Sequence, residues 1–371
     1  MSNGLLKKRF AEYKDEISTK PAQRKPDDHA LVIDGLNTFI RAFSVNPSLN
    51  EDGSHVGGLV GFLKSIRFAI NKFKPTRCII VFDGKGGSKS RQKVFSEYKG
   101  GRKVRSRLNR VVDWTVNPQD ESEAMKLQLS RLVEYIENLP LTILSIDGLE
   151  ADDVMAYVSN VSLKDSKITL MSTDKDFFQL VDDRVQVYSP TKKVTYDVDL
   201  VYKEFGLYPQ NMLTGRTIDG DRSDSIPGVR GVGIKSLVKE YPELSENKPF
   251  DIMMLMDSAK NRETKVSKLI NNHEYVIKRN YLLMQLKEPE ITNHAKLRIT
   301  NTVRDVVPKT TKYKLQRLLV QDKLWGHIPN FDNWITEFIL LGHYWNNKLS
   351  LIHISEPTRL LSISYAVFCL K

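Results

Sequence analysis

Short apolar runs alternate along this chain with stretches in which apolar residues recur every three or four positions. The runs lie at 31–33 (LVI), 78–82 (CIIVF), 141–146 (LTILSI) and 168–171 (ITLM). Each has strand length and lacks a continuous polar face, the pattern of a strand buried on both sides. Helical stripes lie between them, one at Leu59, Phe62, Leu63, Ile66, Ile70 and Phe73, another at Met125, Leu129, Leu132, Val133 and Ile136. A further helix is predicted to begin at Glu150 and run to Val158. Strands that alternate with helices imply right-handed crossovers. The predicted class is therefore α/β, with a mainly parallel sheet flanked by helices. After about Phe205 the chain turns helical and polar.

This pattern divides the chain into four parts. Residues 1–29 form a polar extension with seven Lys/Arg and five Asp/Glu, 30–205 the α/β core, and 206–348 a helical domain. Residues 349–371 (LSLIHISEPTRLLSISYAVFCLK) have no clear amphipathic period and a composition unlike what precedes them. They resemble the translation of a widely used sequencing adapter, which sets them outside fold and function reasoning. The natural C-terminus is then expected beyond about Lys348.

Acidic residues collect where the apolar runs end. Asp34 follows the first run and Asp83 the second. Glu150, Asp152 and Asp153 stand in GLEADD after the third, and Asp174 and Asp176 in STDKDF after the fourth. Asp221 and Asp224 come later, in GDRSD. In parallel sheets ligands bind beyond the carboxyl ends of the strands, which is where the first seven acids belong. Taken singly, an Asp-Gly after a strand is equally a turn, and GLEADD is equally a negatively charged first helical turn. Five coincident motifs are hard to explain by turns alone. Like charges brought together raise one another's pKa and oppose ionisation unless cations neutralise them. Carboxylates without His or Cys point to Mg²⁺ or Mn²⁺ rather than zinc. Two such ions roughly 4 Å apart suit phosphodiester hydrolysis.

Charge adds a polyanionic partner. The net charge is +11 over 371 residues, and residues 84–110 hold ten Lys/Arg against Glu97 alone. A block of like charge is most often a solvated loop. Here it starts at the Asp83 strand end, so the competing reading is a nucleic-acid backbone drawn over the acids. The candidate contacts are Lys85, Lys89, Arg91, Lys93, Tyr98, Lys99, Arg102, Lys103 and Arg105, with Lys99 or Arg102 reaching the scissile phosphate. In the hairpin at 227–233 (PGVRGVG), Gly231 and Gly233 allow a tight turn, and amides at the next helix start, near Lys235, can hold a phosphate. A simple glycine-rich turn is the alternative. Cys78 and Cys369 are far apart, which argues against a disulfide framework or zinc module and fits a reducing cytoplasm. The first 30 residues lack a signal-peptide pattern, and nothing reaches the roughly 18 apolar residues of a membrane span.

In order and spacing, VIDG, VFDG, EYKGGR, LEADD, STDKDFFQL and GDRSDSIPGVRGVGIKS resemble the 5′-nuclease family. That family includes the 5′-nuclease domain of bacterial DNA polymerase I, phage 5′→3′ exonucleases, the T-even phage ribonuclease H and the flap endonucleases. The resemblance covers roughly residues 30–237, and all nine acids have a match. It implies a PIN-like core with two Mg²⁺ ions, for which Mn²⁺ can substitute. Asp34, Asp83, Glu150, Asp152 and Asp174 would gather around one ion. Asp153, Asp176, Asp221 and Asp224 would lie around or near the second, with membership shared. Residues 85–110 would enter a helical arch, with Lys99 and Arg102 on the phosphate. The hairpin would be a helix-hairpin-helix that grips duplex DNA, in relatives often with a bound K⁺. Ser225 stands where relatives often have Asn.

The implied protein is a stand-alone cytoplasmic monomer of the kind phages encode. Its expected function is that of a structure-specific 5′→3′ exonuclease and flap endonuclease with ribonuclease H activity. It would act on DNA with a 5′ flap or 5′ end and on RNA–DNA hybrids, removing RNA primers and flaps beside replication proteins such as a sliding clamp or single-strand-binding protein. Two other readings stay open, a PIN-type endoribonuclease and a catalytically inactive DNA-binding relative.

Overall fold

The computed structural model describes residues 27–101, 108–112, 118–305 and 310–346. Arg102, Lys103 and Arg105, the extension up to residue 26 and the tail at 349–371 lie outside the described residues.

The sheet has six strands: β1 (His29–Asp34), β2 (Arg77–Phe82), β3 (Thr142–Ser145), β4 (Lys167–Met171), β5 (Val185–Ser189) and β6 (Val194–Tyr196). Their order is β3-β2-β1-β4-β5-β6, parallel except where β6 runs antiparallel to β5. The four apolar runs are β1 to β4. The sequence pattern predicts neither β5 nor β6, because polar and half-buried residues interrupt this short edge hairpin.

β1 is the pivot of the topology. The chain steps from β1 out to β2 and β3, then returns to β4 on the other flank of β1. Strand order therefore reverses between β1 and β4, which opens a crevice beyond their carboxyl ends. Asp34 ends β1, and Asp174 follows β4 by three residues.

Alternate side chains of each strand feed two cores, since successive residues point to opposite faces. Ala30 and Val32 join one core, and Leu31 and Ile33 the other. Burying a Val, Leu or Ile side chain is worth about 1.5–3 kcal/mol, so such runs hold a strand in the sheet without a local signal. Helices α1 (Gly35–Val45) and α2 (Gly57–Phe73) cover the Leu31 face. The short α3 (Lys89–Val94) lies within the basic segment, and α4 (Pro118–Ile136) returns to the Leu31 face. The Ala30 face is covered by α5 (Ala151–Tyr157), α6 (Val198–Phe205) and α7 (Pro209–Asp219).

The helices beyond Phe205 add buried side chains to these same cores. Leu237 of α8 (Ile234–Glu240), Leu255 of α9 (Ile252–Lys260) and Ile270 of α10 (Lys265–Asn272) join the Ala30 core. So do Ile277 of α11 (Glu274–Met284) and Ile299 of α12 (Asn293–Asp305). Leu319 of α13 (Lys312–Gln321) and Phe338 of α14 (Phe331–Asn346) come back to the Leu31 core. Among the described residues, no helix is long and apolar enough to cross a membrane.

Candidate active site

Three acids are fixed by the backbone at strand ends. Asp34 caps α1, accepting from the Asn37 amide at 3.0 Å and from the Ser172 hydroxyl at 3.2 Å. Asp83 accepts from the Ala151 amide at 2.7 Å, which docks the first turn of α5 against the end of β2. Asp174 caps the 3₁₀ turn Lys175–Leu180 through the Asp176 amide at 2.8 Å. The turn and cap readings thus hold locally, and the same bonds aim the carboxylates. Burial pushes Asp34 up to about 7, with the charges of Asp83 and Asp174 adding to it. Burial likewise raises Asp174 to about 6, reinforced by Asp152 and Asp224.

A second group surrounds Arg91 of α3. Its guanidinium pairs with Glu150, with Asp152 at 3.2 Å and with Asp153 at 2.8 Å, and Nε donates to the Leu283 carbonyl at 2.9 Å. Lys99 Nζ lies 2.5 Å from Glu150 Oε1. The Tyr98 hydroxyl donates to Glu150 at 2.9 Å and to Asp224 at 3.3 Å. Burial and then the neighbouring Asp152 hold Asp153 up at about 7 despite Arg91.

A third group centres on Arg216 of α7, which pairs with Asp176 at 2.9 Å and with Asp221. Burial and then Asp174 raise Asp176 to about 8. Asp221 is only half-buried, and against the upward push of that burial the bonds from Ser223 and the Arg216 charge hold it below the usual carboxylate range. Its Oδ1 accepts from the amide and hydroxyl of Ser223, both at 2.6 Å. Mutual repulsion links the three groups, so all nine acids belong to one electrostatic network.

The arrangement departs from the sequence expectation in three ways. Among the described residues, no three acidic, histidine or cysteine side chains stand in a ready-made ligand set. The carboxylates are turned instead onto Arg91, Lys99, Arg216 and backbone amides. Arg91 and Tyr98, read from sequence as nucleic-acid contacts, are only 7% and 2% exposed and face the acids. Arg216 is absent from the sequence reading altogether. Its signal is an arginine in a helix without a polar face, since residues 211–218 are all buried, and a buried guanidinium requires carboxylate partners. Lys85, Lys89 and Lys93 are exposed along the basic segment.

The donor set nonetheless fits a divalent cation. Among the described residues, these hard carboxylates ion-pair with Arg91, Lys99 and Arg216, while Asp34, Asp83 and Asp174 form no ion pair with a basic side chain. Carboxylates raised to about 6 to 8 are those that an added cation would stabilise most.

The hairpin follows α7. β7 (Gly220–Asp221) pairs antiparallel with β8 (Ile226–Pro227), and α8 begins at Ile234. A Cβ at Gly228 would sit 2.2 Å from the Asp219 carbonyl oxygen. Gly231 is exposed with φ +90°, whereas a Cβ at Gly233 would meet open space. The Gly233 amide bonds to Ser236 Oγ at 3.1 Å, and Lys235 is exposed.

A family model described as "5′-3′ exonuclease, N-terminal resolvase-like domain" matches residues 29–206, the span that carries seven of the acids. A 5′-3′ exonuclease of Aquifex aeolicus is 30% identical over 215 residues, covering 57% of this chain and 68% of that one. The chain belongs to the 5′-3′ exonuclease family. This makes it a nuclease, a hydrolase of the 5′-3′ exonuclease kind. A second 5′-3′ exonuclease, from Bacillus subtilis, is 28% identical over 223 residues, 57% of this chain and 70% of its own length. The thermostable DNA polymerase I of Thermus thermophilus is 30% identical over 221 residues, 59% of this exonuclease-family chain but only 24% of the polymerase. Solved structures agree on the fold. A T5 5′-exonuclease with bound zinc gives a TM-score of 0.57 at 20% identity, over 79% of this chain and 98% of that one. A bacteriophage T5 flap endonuclease, solved as a pseudo-enzyme–product complex with DNA and metal ions, gives 0.56 at 20% identity, over 80% and 99%.

Proposed function

We propose that this 5′-nuclease is a structure-specific 5′→3′ exonuclease and flap endonuclease on DNA, with ribonuclease H activity on RNA–DNA hybrids, and that it removes RNA primers and flaps. The observation that carries this reading is the convergence of nine carboxylates beyond the switch between β1 and β4, directly beside the basic segment. Two Mg²⁺ ions, replaceable by Mn²⁺, would supply an activated water and stabilise charge on the scissile phosphate and leaving oxygen. Asp34, Asp83, Glu150, Asp152 and Asp174 would hold one ion, with Asp153, Asp176, Asp221 and Asp224 at or near the other. The metal-bound T5 exonuclease and the T5 flap endonuclease complex with DNA support divalent metal use and DNA as substrate.

The chain's own groups do the positioning. Partial burial of the acids strengthens each charge interaction there. The Lys99 ammonium, held on Glu150, would meet a phosphate oxygen. Exposed Lys85, Lys89 and Lys93, together with Arg102, Lys103 and Arg105, draw in the single-stranded 5′ end. The hairpin at 227–233, flanked by α7 and α8, acts as a helix-hairpin-helix on the downstream duplex, with Gly231, Gly233 and Lys235 toward the backbone and K⁺ as its ion.

A 5′-flap duplex, a nicked RNA–DNA hybrid and unstructured RNA, each with and without Mg²⁺, test this reading. Cleavage of the first two only with Mg²⁺ is expected. Cleavage of unstructured RNA alone would instead indicate a PIN-type endoribonuclease, and tight binding without cleavage an inactive relative.

A further inference from the structure

Two residues beside the acids adopt left-handed backbone without being glycine, Lys99 with φ +58° and Ser225 with φ +61°. A Cβ disfavours this region, so each persists only where neighbouring bonds impose it. Here they impose it on each other. The Lys99 amide donates to the Asp224 carbonyl at 2.8 Å. Two residues on, the Gly101 amide donates to Ser225 Oγ at 3.2 Å, across 124 positions of sequence. These bonds form a clasp between the basic segment and the hairpin, on either side of Gly100.

The clasp decides where Lys99 points. Lys85, Lys89 and Lys93 of the same segment are exposed, whereas Lys99 turns inward to Glu150 at 2.5 Å. Gly100 and Gly101 give the chain next to Lys99 the widest backbone freedom, so without an external tether its direction would be poorly held. Asn and Gly adopt left-handed backbone more readily than Ser. What Ser225 contributes beyond the turn is the hydroxyl that receives Gly101.

We propose that Ser225 is a positioning residue that acts through Lys99. It fixes the 99–101 segment to the hairpin, so that the lysine ammonium meets the scissile phosphate when duplex is seated on the hairpin. The proposal rests on the reading of Lys99 as the phosphate-contacting side chain.

A double-mutant cycle tests it on the full chain, with kcat and KM measured on a 5′-flap duplex in Mg²⁺ and unfolding midpoints measured alongside. Ser225→Ala removes the hydroxyl, and Ser225→Gly also relieves the backbone. Each is expected to lower kcat by about tenfold with KM within about twofold, as for a slightly misplaced group. The Ser225→Gly midpoint is expected at or above that of the parent. In a Lys99→Ala background neither change should lower kcat further. Multiplying losses in the double variant would overturn the proposal, because Ser225 would then act elsewhere. So would a parental kcat for Ser225→Gly while Lys99→Ala is slow, an outcome that leaves the Lys99 reading intact. A parental rate for Lys99→Ala itself would remove both.

Discussion

Arg216 Nε donates to Asp176 Oδ1 across 2.9 Å, joining α7 to the turn after β4 over 40 positions of sequence. The same guanidinium pairs with Asp221, so one buried cation holds two acids that would otherwise repel. Removing one partner of a buried pair costs about 3–5 kcal/mol, because the other charge stays behind unpaired. Asp176 and Asp221 keep 16% exposure, which places Arg216→Met at the lower end, about 3 kcal/mol. Urea unfolding of the metal-free protein should show this loss, and Mn²⁺ should restore part of it by supplying the missing positive charge. A change below about 0.5 kcal/mol, the scale of ordinary surface substitutions, would mean that Arg216 is not the counter-ion.

The raised carboxylates give the metal-free protein an unusual dependence on pH. Asp174 near 6, Asp34 and Asp153 near 7 and Asp176 near 8 all lie above the ordinary 3.8. The folded state therefore binds these protons more tightly than the unfolded chain. Their contribution to stability is full below about pH 4 and is lost as pH rises to about 8. Asp221, held low, acts in the opposite sense but only below 3.8. In EDTA the unfolding midpoint should fall from about pH 5 to pH 8, and Mg²⁺ should oppose the fall by binding the ionised acids. A midpoint that is flat or rises over this window in EDTA would show that the carboxylates are already neutralised within the chain.

The hairpin makes a contrast between two of its glycines. At Gly228 a methyl group would meet the Asp219 carbonyl at 2.2 Å, whereas at Gly233 it would meet nothing. Gly228→Ala should destabilise by about 1–3 kcal/mol through overpacking and weaken binding of duplex DNA. Gly233→Ala should leave the unfolding midpoint nearly unchanged. Thermal melts and duplex gel shifts check both. Equal melts for the two variants would mean that the hairpin does not close on Gly228.

Much of the core was legible because its strands are buried on both faces and read as continuous apolar runs, as in 78–82. Seven of the acids stand out for the same reason, since their motifs mark a strand end or the helix start after it, whereas Asp221 and Asp224 lie in the hairpin after α7. Direction was less visible. Nothing in the spacing of the basic segment separates Arg91 and Tyr98, which turn inward, from Lys89 and Lys93, which stay in water. That choice depends on α11, whose Leu283 carbonyl receives Arg91. Arg216 and the return of α13 and α14 onto the sheet are likewise tertiary facts, set by which apolar face remains uncovered. In the hairpin, Gly231 and Gly233 stand out in the motif, yet the closest backbone approach falls at Gly228.

Cleavage of a 5′-flap duplex by the parent chain and by Asp174 variants tests the central claim most directly. Asp174→Asn retains an acceptor for the Asp176 amide, so the 3₁₀ cap survives while the charge is lost. Asp174→Ala removes both. The parent should cut with Mg²⁺ and not in EDTA, and both variants should bind duplex yet lose hydrolysis. Cutting at the parental rate by either variant, or by the parent in EDTA, would contradict a metal-dependent nuclease built on these carboxylates.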